Sequence, residues 1–322
     1  MHKSSRIYVA GHTGLVGSCI MRKLQDDSHD NVLVRTHSEL DLTNQIETRK
    51  FFKEEKPDVV ILAAAMVGGI AANSALPVDF IACNLAIQQN VIMSALETGV
   101  EDLLFLGSSC IYPRDCPQPI KEEYLLTGPL EETNRAYAIA KLAGLEMCMS
   151  CNRQYNTRYL CVMPANLYGR GDNYSPQHSH VLPGLMRRIH EAKKANSSEV
   201  IVWGSGDPLR EFLFNDDLAD GCILLLNNME RVLQLSKNKK LSPIYNIGSG
   251  EEVTIRKLAH LLCNVIGYQG KLKFDEAKPD GTPRKLLDNS LMLQLGWAAS
   301  TSLAEGLPLA YSDFVENYTD ES

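Results

Sequence analysis

The sequence predicts an α/β fold built on a doubly wound parallel sheet, with a smaller α/β lobe attached. Three observations carry this. Apolar strand-like runs alternate with amphipathic helical runs through the first half of the chain. Those runs are apolar on both faces, as strands covered by helices on each side must be. A glycine-rich turn joins the first strand to the first helix.

The elements follow in order. "RIYVAG" reads as a strand and "GLVGSCIMRKLQ" as its helix; "NVLVRT" is followed by the helical "IETRKFFKEEK". "DVVILAAA" precedes the long helix "VDFIACNLAIQQNVIMSALETG", and "DLLFLGSS" precedes "NRAYAIAKLAGLEMCMSCNRQY". A further strand, "RYLCVMPANLYG", closes the series. Residues 1–173 are therefore expected to form a dinucleotide-binding domain of the Rossmann type.

From about Tyr174 the alternation breaks down. A helix, "HVLPGLMRRIHEAKKA", is followed by a short strand, "EVIVWGSG", and by a helix opening at Asn215 or Asp216. "SKNKKLSP" reads as a charged loop, and "IYNIGSG" leads into another helix. Segments capping the carboxyl edge of a doubly wound sheet supply a ligand's surroundings. Residues 174–322 are thus expected to form mainly a substrate-binding lobe, interleaved with the first domain.

Composition narrows the function. A net charge of −7 on 322 residues offers no basic face for nucleic acid. No apolar run reaches the roughly 18 residues of a membrane span, and the N-terminus lacks a signal-peptide pattern. The nine cysteines are an odd number scattered singly, which predicts a reducing, cytoplasmic setting. Cys148 and Cys151 have CxxC spacing but no second pair, so they are expected to be small helix residues. "HSH" at 178–180 lacks a carboxylate or cysteine cluster, so no metal is expected.

"VAGHTGLVG" places Gly11, Gly14 and Gly17 between strand and helix. Glycine allows a tight turn and close backbone approach, and the helix N-terminus offers unpaired N–H groups to a pyrophosphate. An NAD site would show an acidic residue at the end of the second strand. Here stand Arg35, Thr36 and His37, which suit a 2'-phosphate and favour NADPH.

Tyr137 and Lys141 in "YAIAK" lie four apart on one helix face. A neighbouring cation favours the phenolate, so the tyrosine pKa is expected to fall toward neutrality, fitting the phenol to protonate a carbonyl oxygen. Ser108 or Ser109, at the end of the fourth strand, would hydrogen-bond the same oxygen.

Together the glycine loop, "SSCIYP", "YAIAK", "MPANLYG", "HSHVLP" and "DGTPRK" resemble, in order and over essentially the whole chain, the GDP-L-fucose synthases. These are NADPH-dependent epimerase-reductases of the extended short-chain dehydrogenase/reductase superfamily. The resemblance implies a GDP-linked sugar with a ketone at C4. Such a ketone acidifies the hydrogens at C3 and C5, and inverting each centre needs a base and an acid on opposite faces. Cys110 and His180 match the family's two proton carriers, and Ser108, Tyr137 and Lys141 its reductase set.

The resemblance further implies cofactor contacts from Gly11, His12, Thr13, Gly14, Leu15, Val16 and Gly17. Others come from Arg35, His37, Asp41 and Leu42, from Leu106, Gly107 and Ser108, and from Lys141, Pro164, Ala165, Asn166, Leu167 and His180. Arg188, Trp203, Arg210 and Asp280 match substrate positions, the arginines suiting a diphosphate. Trp203, in an apolar strand, reads equally as core. Members of the family are typically homodimers. Some carry arginines where this chain has Thr13 and His37.

Three rivals remain. A 4,6-dehydratase would carry Asp-Glu after the strand-four serine, where this chain has Cys110 and Ile111. A 4-epimerase uses the same scaffold. A non-catalytic NADP sensor would not need the Ser, Tyr and Lys set.

Overall fold

A computed structural model describes residues 1–176, 178–278 and 280–317 of the chain. Its centre is a six-stranded parallel sheet. The first strand, β1 (Ile7–Ala10), leads into α1 (Leu15–Asp26), then β2 (Val32–Leu33), α2 (Gln45–Glu55) and β3 (Val59–Leu62). A short helix, α3 (Ile70–Ala75), precedes α4 (Pro77–Glu97), β4 (Asp102–Leu106), α5 (Arg135–Tyr155) and β5 (Arg158–Pro164). The strand order is β2-β1-β3-β4-β5, and every pair is parallel.

The parallel arrangement follows from the residues. All four positions of β1 and of β3 are buried, so both faces must be covered. Helix α4 packs on both α2 and α5, while α1 packs against a later helix. Asn44 starts α2 by accepting hydrogen bonds from the Ile46 and Glu47 amides.

After β5 the course departs from the sequence expectation. "RYLCVMPANLYG" is two strands: Ala165 turns the chain out of the central sheet into β6 (Asn166–Tyr168). There follow α6 (Val181–Lys194), β7 (Glu199–Trp203), β8 (Leu209–Phe214) and α7 (Asn215–Asn227), the helix that covers α1. The expected charged loop at 236–243 is helix in its first half only: α8 (Met229–Lys239) ends within it, with lysines in its last turn, where the helix dipole favours them. Then β9 (Ile244–Ile247) returns to the central sheet beside β5.

The remaining elements are β10 (Glu252–Thr254), α9 (Ile255–Ile266), β11 (Lys271–Asp275), β12 (Arg284–Lys285), α10 (Ser290–Gln294) and α11 (Leu303–Asn317). Around β8 a second sheet assembles, with β10 antiparallel and β12 and β6 parallel to it. A two-stranded sheet pairs β11 with β7. A second apolar core, including Leu185, Met186, Phe212, Leu258 and Leu262, lies under these elements, distinct from the core of the central sheet.

Candidate active site

Sheet order reverses between β1 and β3, and a ligand crevice belongs at such a switch point. The glycine loop lies there. Gly11 has φ +85, and a Cβ on it would stand 2.7 Å from the backbone of Ala64, just past β3. On Gly17 a Cβ would stand 2.0 Å from the Gly11 carbonyl oxygen. Gly14 heads α1 with no side chain capping it, and with Thr13 it is exposed. The helix therefore presents free N–H groups to the crevice. Leu15 and Val16 begin α1, and the buried Nδ1 of His12 has no partner in the protein. A crevice floored by backbone and lined by unpaired donors fits a pyrophosphate-linked dinucleotide.

Beyond β2, Arg35 and Arg6 share the carboxylate of Glu55, Arg35 at 2.6 Å, leaving one net positive charge. Arg35 also lies over the Phe51 ring. His37 is exposed, 3.9 Å from Asp41. The carboxyl of Asp41 is held below its usual value by hydrogen bonds from Thr43. Leu42 is buried, its carbonyl held by Asn90.

At the end of β4, Leu106 and Gly107 are buried, and the Gly107 amide donates to the Val162 carbonyl at 2.8 Å. Ser108, in extended conformation, caps a short 3-10 turn, Ser109–Ile111, its Oγ accepting from the Cys110 amide at 3.2 Å. Between the two serines the structure distinguishes clearly. Ser109 is buried, whereas the Ser108 hydroxyl lies close enough to the Tyr137 phenol to favour its ionised form.

Lys141 is 3% exposed and donates to the Leu106 carbonyl at 2.7 Å. Its ammonium lies 4.9 Å from the Phe105 ring centroid and 5.9 Å from that of Tyr137. Burial lowers its pKa to about 8. The Tyr137 phenol goes the other way from the sequence expectation. Burial raises its pKa, the nearby Cys110 adds to the rise, and only Ser108 opposes it. A lysine whose ammonium donates a hydrogen bond to a backbone carbonyl and sits over the ring face is poorly placed to stabilise a phenolate oxygen.

The chain switch from β5 to β6 is "PANL" itself. Pro164 ends β5, the Ala165 amide donates to Ile247, and the Asn166 side chain donates to the Glu211 carbonyl at 2.9 Å, with Leu167 next on β6. His180 heads α6, exposed, in a loop seated on Gly68 and Gly69. Surrounding protein still desolvates its imidazole enough to lower the pKa. No hydrogen bond links it to Cys110 or Tyr137.

The predicted substrate residues come from different elements: Arg188 from α6, Trp203 from the end of β7, Arg210 from β8 and Asp280 from the segment before β12. Trp203 is 53% exposed and so is not core; Arg188 stands 6.0 Å and Lys278 5.4 Å from its ring centroid. Burial lowers the Arg188 pKa, and its guanidinium donates to the Gly184 and Ile201 carbonyls. Arg210 donates to the Asp280 carbonyl at 3.3 Å. The Asp280 carboxylate is occupied by the Ser205 amide and hydroxyl, at 2.8 and 2.9 Å, so it shapes the turn after β7.

Sequence reasoning missed Lys285, whose Nζ lies 3.6 Å from the Cys110 Sγ. It also missed Glu211, 1% exposed, whose oxygens accept from the Gly250 and Leu287 amides. The "DGTPRK" motif contained Lys285, but nothing local shows which of its cations faces the site. No group of three or more metal-ligating side chains occurs among the described residues.

A doubly wound domain with a glycine cradle, a Ser-Tyr-Lys set and a second sheet closing the crevice defines a nucleotide-dependent sugar epimerase or reductase. Residues 7–248 match the model of the NAD dependent epimerase/dehydratase family, and the chain belongs to it. Among curated relatives, it is 56% identical over 317 residues to "Putative GDP-L-fucose synthase 2" of Arabidopsis thaliana, covering 98% of this chain and 94% of that one. A GDP-L-fucose synthetase from Naegleria fowleri, solved bound to NADP, superposes with a TM-score of 0.85 at 26% identity, over 99% of this chain and 96% of that one. A GDP-6-OMe-4-keto-L-xylo-heptose reductase from Campylobacter jejuni superposes at 0.92 with 36% identity, covering 99% of each chain.

Proposed function

We propose that this chain makes GDP-L-fucose, by 3,5-epimerisation of GDP-4-keto-6-deoxy-D-mannose and NADPH-dependent reduction at C4. The observation that carries it is the meeting of Ser108 and Tyr137 with a thiol, Cys110, two residues past the serine. A reduction needs the serine, the tyrosine and Lys141 but no thiol; the thiol adds a carrier for carbon-bound protons.

In epimerisation the C4 carbonyl oxygen lies against the Ser108 and Tyr137 hydroxyls. Removing the C3 or C5 proton places charge on that oxygen, where the two donors stabilise it. Cys110 and His180 are the proposed carriers, one on each face of the sugar. Its lowered pKa keeps the His180 imidazole neutral near pH 7, able to accept a proton. In reduction Tyr137 gives its proton to O4, and its raised pKa keeps that proton in place until the oxygen becomes basic. Bound NADPH supplies the hydride for C4. The glycine loop would hold its pyrophosphate, the Arg6–Glu55–Arg35 cluster its 2'-phosphate, and Lys141 its nicotinamide ribose. Arg188 and Arg210 would pair with the GDP diphosphate, and Trp203 offers an open ring face beside them.

Division into a cofactor domain and a substrate lobe is supported by the two apolar cores, with β9, α7 and α8 packing on the first. A reducing, cytoplasmic setting is supported by nine free cysteines, and no helix of the described residues is long and apolar enough to cross a membrane. A homodimer is proposed from the family alone.

The test is incubation with NADPH and GDP-4-keto-6-deoxymannose in deuterated water. NADPH oxidation with deuterium at C3 and C5 is expected, and Cys110→Ser should lose the exchange while still binding NADPH. Oxidation without exchange would favour a plain C4 reductase, the reading the Campylobacter neighbour supports. Folded protein that does neither would remove both.

A further inference from the structure

We infer that Lys285 is a positioning residue for epimerisation, holding Cys110 as a thiolate ready to take a carbon-bound proton. This rests on the epimerase reading above and names the group that makes the thiol a base.

The geometry begins with the strand pair. Residues Arg284 and Lys285 of β12 lie in register with Leu209 and Arg210 of β8. Side chains alternate between faces along a strand, so the two cations of β12 part company. Arg284 turns to Glu252 and forms a two-pronged ion pair at 2.7 and 2.8 Å. Lys285 turns the other way, beside Arg210, and its Nζ donates to the Cys110 Sγ at 3.6 Å. No carboxylate among the described residues comes within 4.0 Å of that ammonium.

The segment carrying Lys285 is fixed on both sides. The Leu286 amide donates to the Gln118 side chain at 2.9 Å, and the Leu287 amide to the buried carboxylate of Glu211 at 2.9 Å. The Ile120 amide donates to the Leu286 carbonyl at 2.7 Å. A half-buried ammonium on so firm a mount keeps its place without an ion-pair partner. Its neighbour is a thiol, which binds it well only as the thiolate.

Other groups face the same sulfur. Arg210 feels the Cys110 charge, but shares its own with Asp280 and Glu131. Tyr137, on α5, is neutral, and Ser108 accepts from the Cys110 amide while its hydroxyl lies against the Tyr137 phenol. Lys285 is thus the one cation in hydrogen-bond contact with the thiol among the described residues. In the step itself the proton leaves C3 or C5 for Sγ, the electron pair passes to the carbonyl oxygen, and Lys285 keeps its proton.

The test does not depend on the sugar. An opposite charge within about 4–6 Å favours an ionised group by a factor of about ten or more, and only the thiolate is alkylated. Lys285→Met should slow iodoacetamide modification of Cys110, followed by mass spectrometry of its peptide near neutral pH, by about tenfold. The rate should recover as the pH is raised, and Lys285→Arg should restore it. With the sugar, Lys285→Met should lower kcat for solvent deuterium exchange about as much, with KM little changed. Retained NADPH binding shows that the variant folds. Alkylation at the wild-type rate overturns the inference. So does an effect confined to KM, which would make Lys285 a diphosphate contact. If the wild-type enzyme shows no exchange at all, the epimerase reading falls, and alkylation still decides whether Lys285 governs the thiol.

Discussion

Replacing Lys141 with methionine separates function from stability. The ammonium is 3% exposed, and burial lowers its pKa from 10.5 to about 8. The sign follows: a lysine with a depressed folded value is charged at a cost below pH 8, and that cost is relieved as pH rises from about 8 toward the unfolded value. At pH 7 the whole penalty is present, on the order of 3 kcal/mol. Lys141→Met removes it, adds apolar packing against Phe105, and leaves the Leu106 carbonyl without its donor, which costs about 1–3 kcal/mol. The two nearly cancel. Urea unfolding at pH 7 should therefore show a variant as stable as the wild type or more so, while its advantage shrinks above about pH 9. NADPH oxidation with the keto sugar should fall by about 10²-fold or more. A variant destabilised by several kcal/mol would make Lys141 a structural donor, and undiminished oxidation would take it out of the site.

Two further outcomes follow from the geometry. Glu122 is buried, accepts from the Asn246 amide, and has its pKa pushed up to about 7 by burial. A raised carboxyl binds more protons folded than unfolded, so it costs stability as pH rises from about 4.5 through 7, on the order of 3 kcal/mol once ionised. Glu122→Gln should gain on the wild type in urea melts as pH goes from about 5 to 9; parallel curves would show that Glu122 does not titrate there. For Gly17→Ala, a Cβ 2.0 Å from the Gly11 oxygen forces the glycine loop to move. It should lower stability by about 1–3 kcal/mol and weaken NADPH binding by tenfold or more, read by cofactor fluorescence. Wild-type binding would mean the pyrophosphate does not lie there.

Much of this molecule is written locally. Strands β1, β3, β4 and β5 are short runs buried on both faces, and their helices carry an apolar period, so neighbouring residues suffice to reveal them. The glycine loop and the Tyr137–Lys141 spacing are equally local, and they point to the cofactor class and to the proposed reducing pair. The elements around β8 were harder to read because their strands are as short as two residues and are stabilised by partners far away in the chain. Helix α8 escaped because five polar and charged residues in "SKNKK" resemble a loop, whereas Val232 and Ser236 upon its inner face hold it down.

The sequence by itself determined the sheet, the dinucleotide cradle and the identity of the thiol, because each depends on residue type and spacing within a single turn or strand. Tertiary structure alone decided that Ser108 rather than Ser109 meets Tyr137, that Trp203 is exposed rather than core, and that burial raises the tyrosine's pKa. It also brought Lys285 to Cys110 across 175 residues of chain. Desolvation and cross-strand register are properties of what surrounds a residue, and those surroundings exist only once the two sheets have closed over the same crevice.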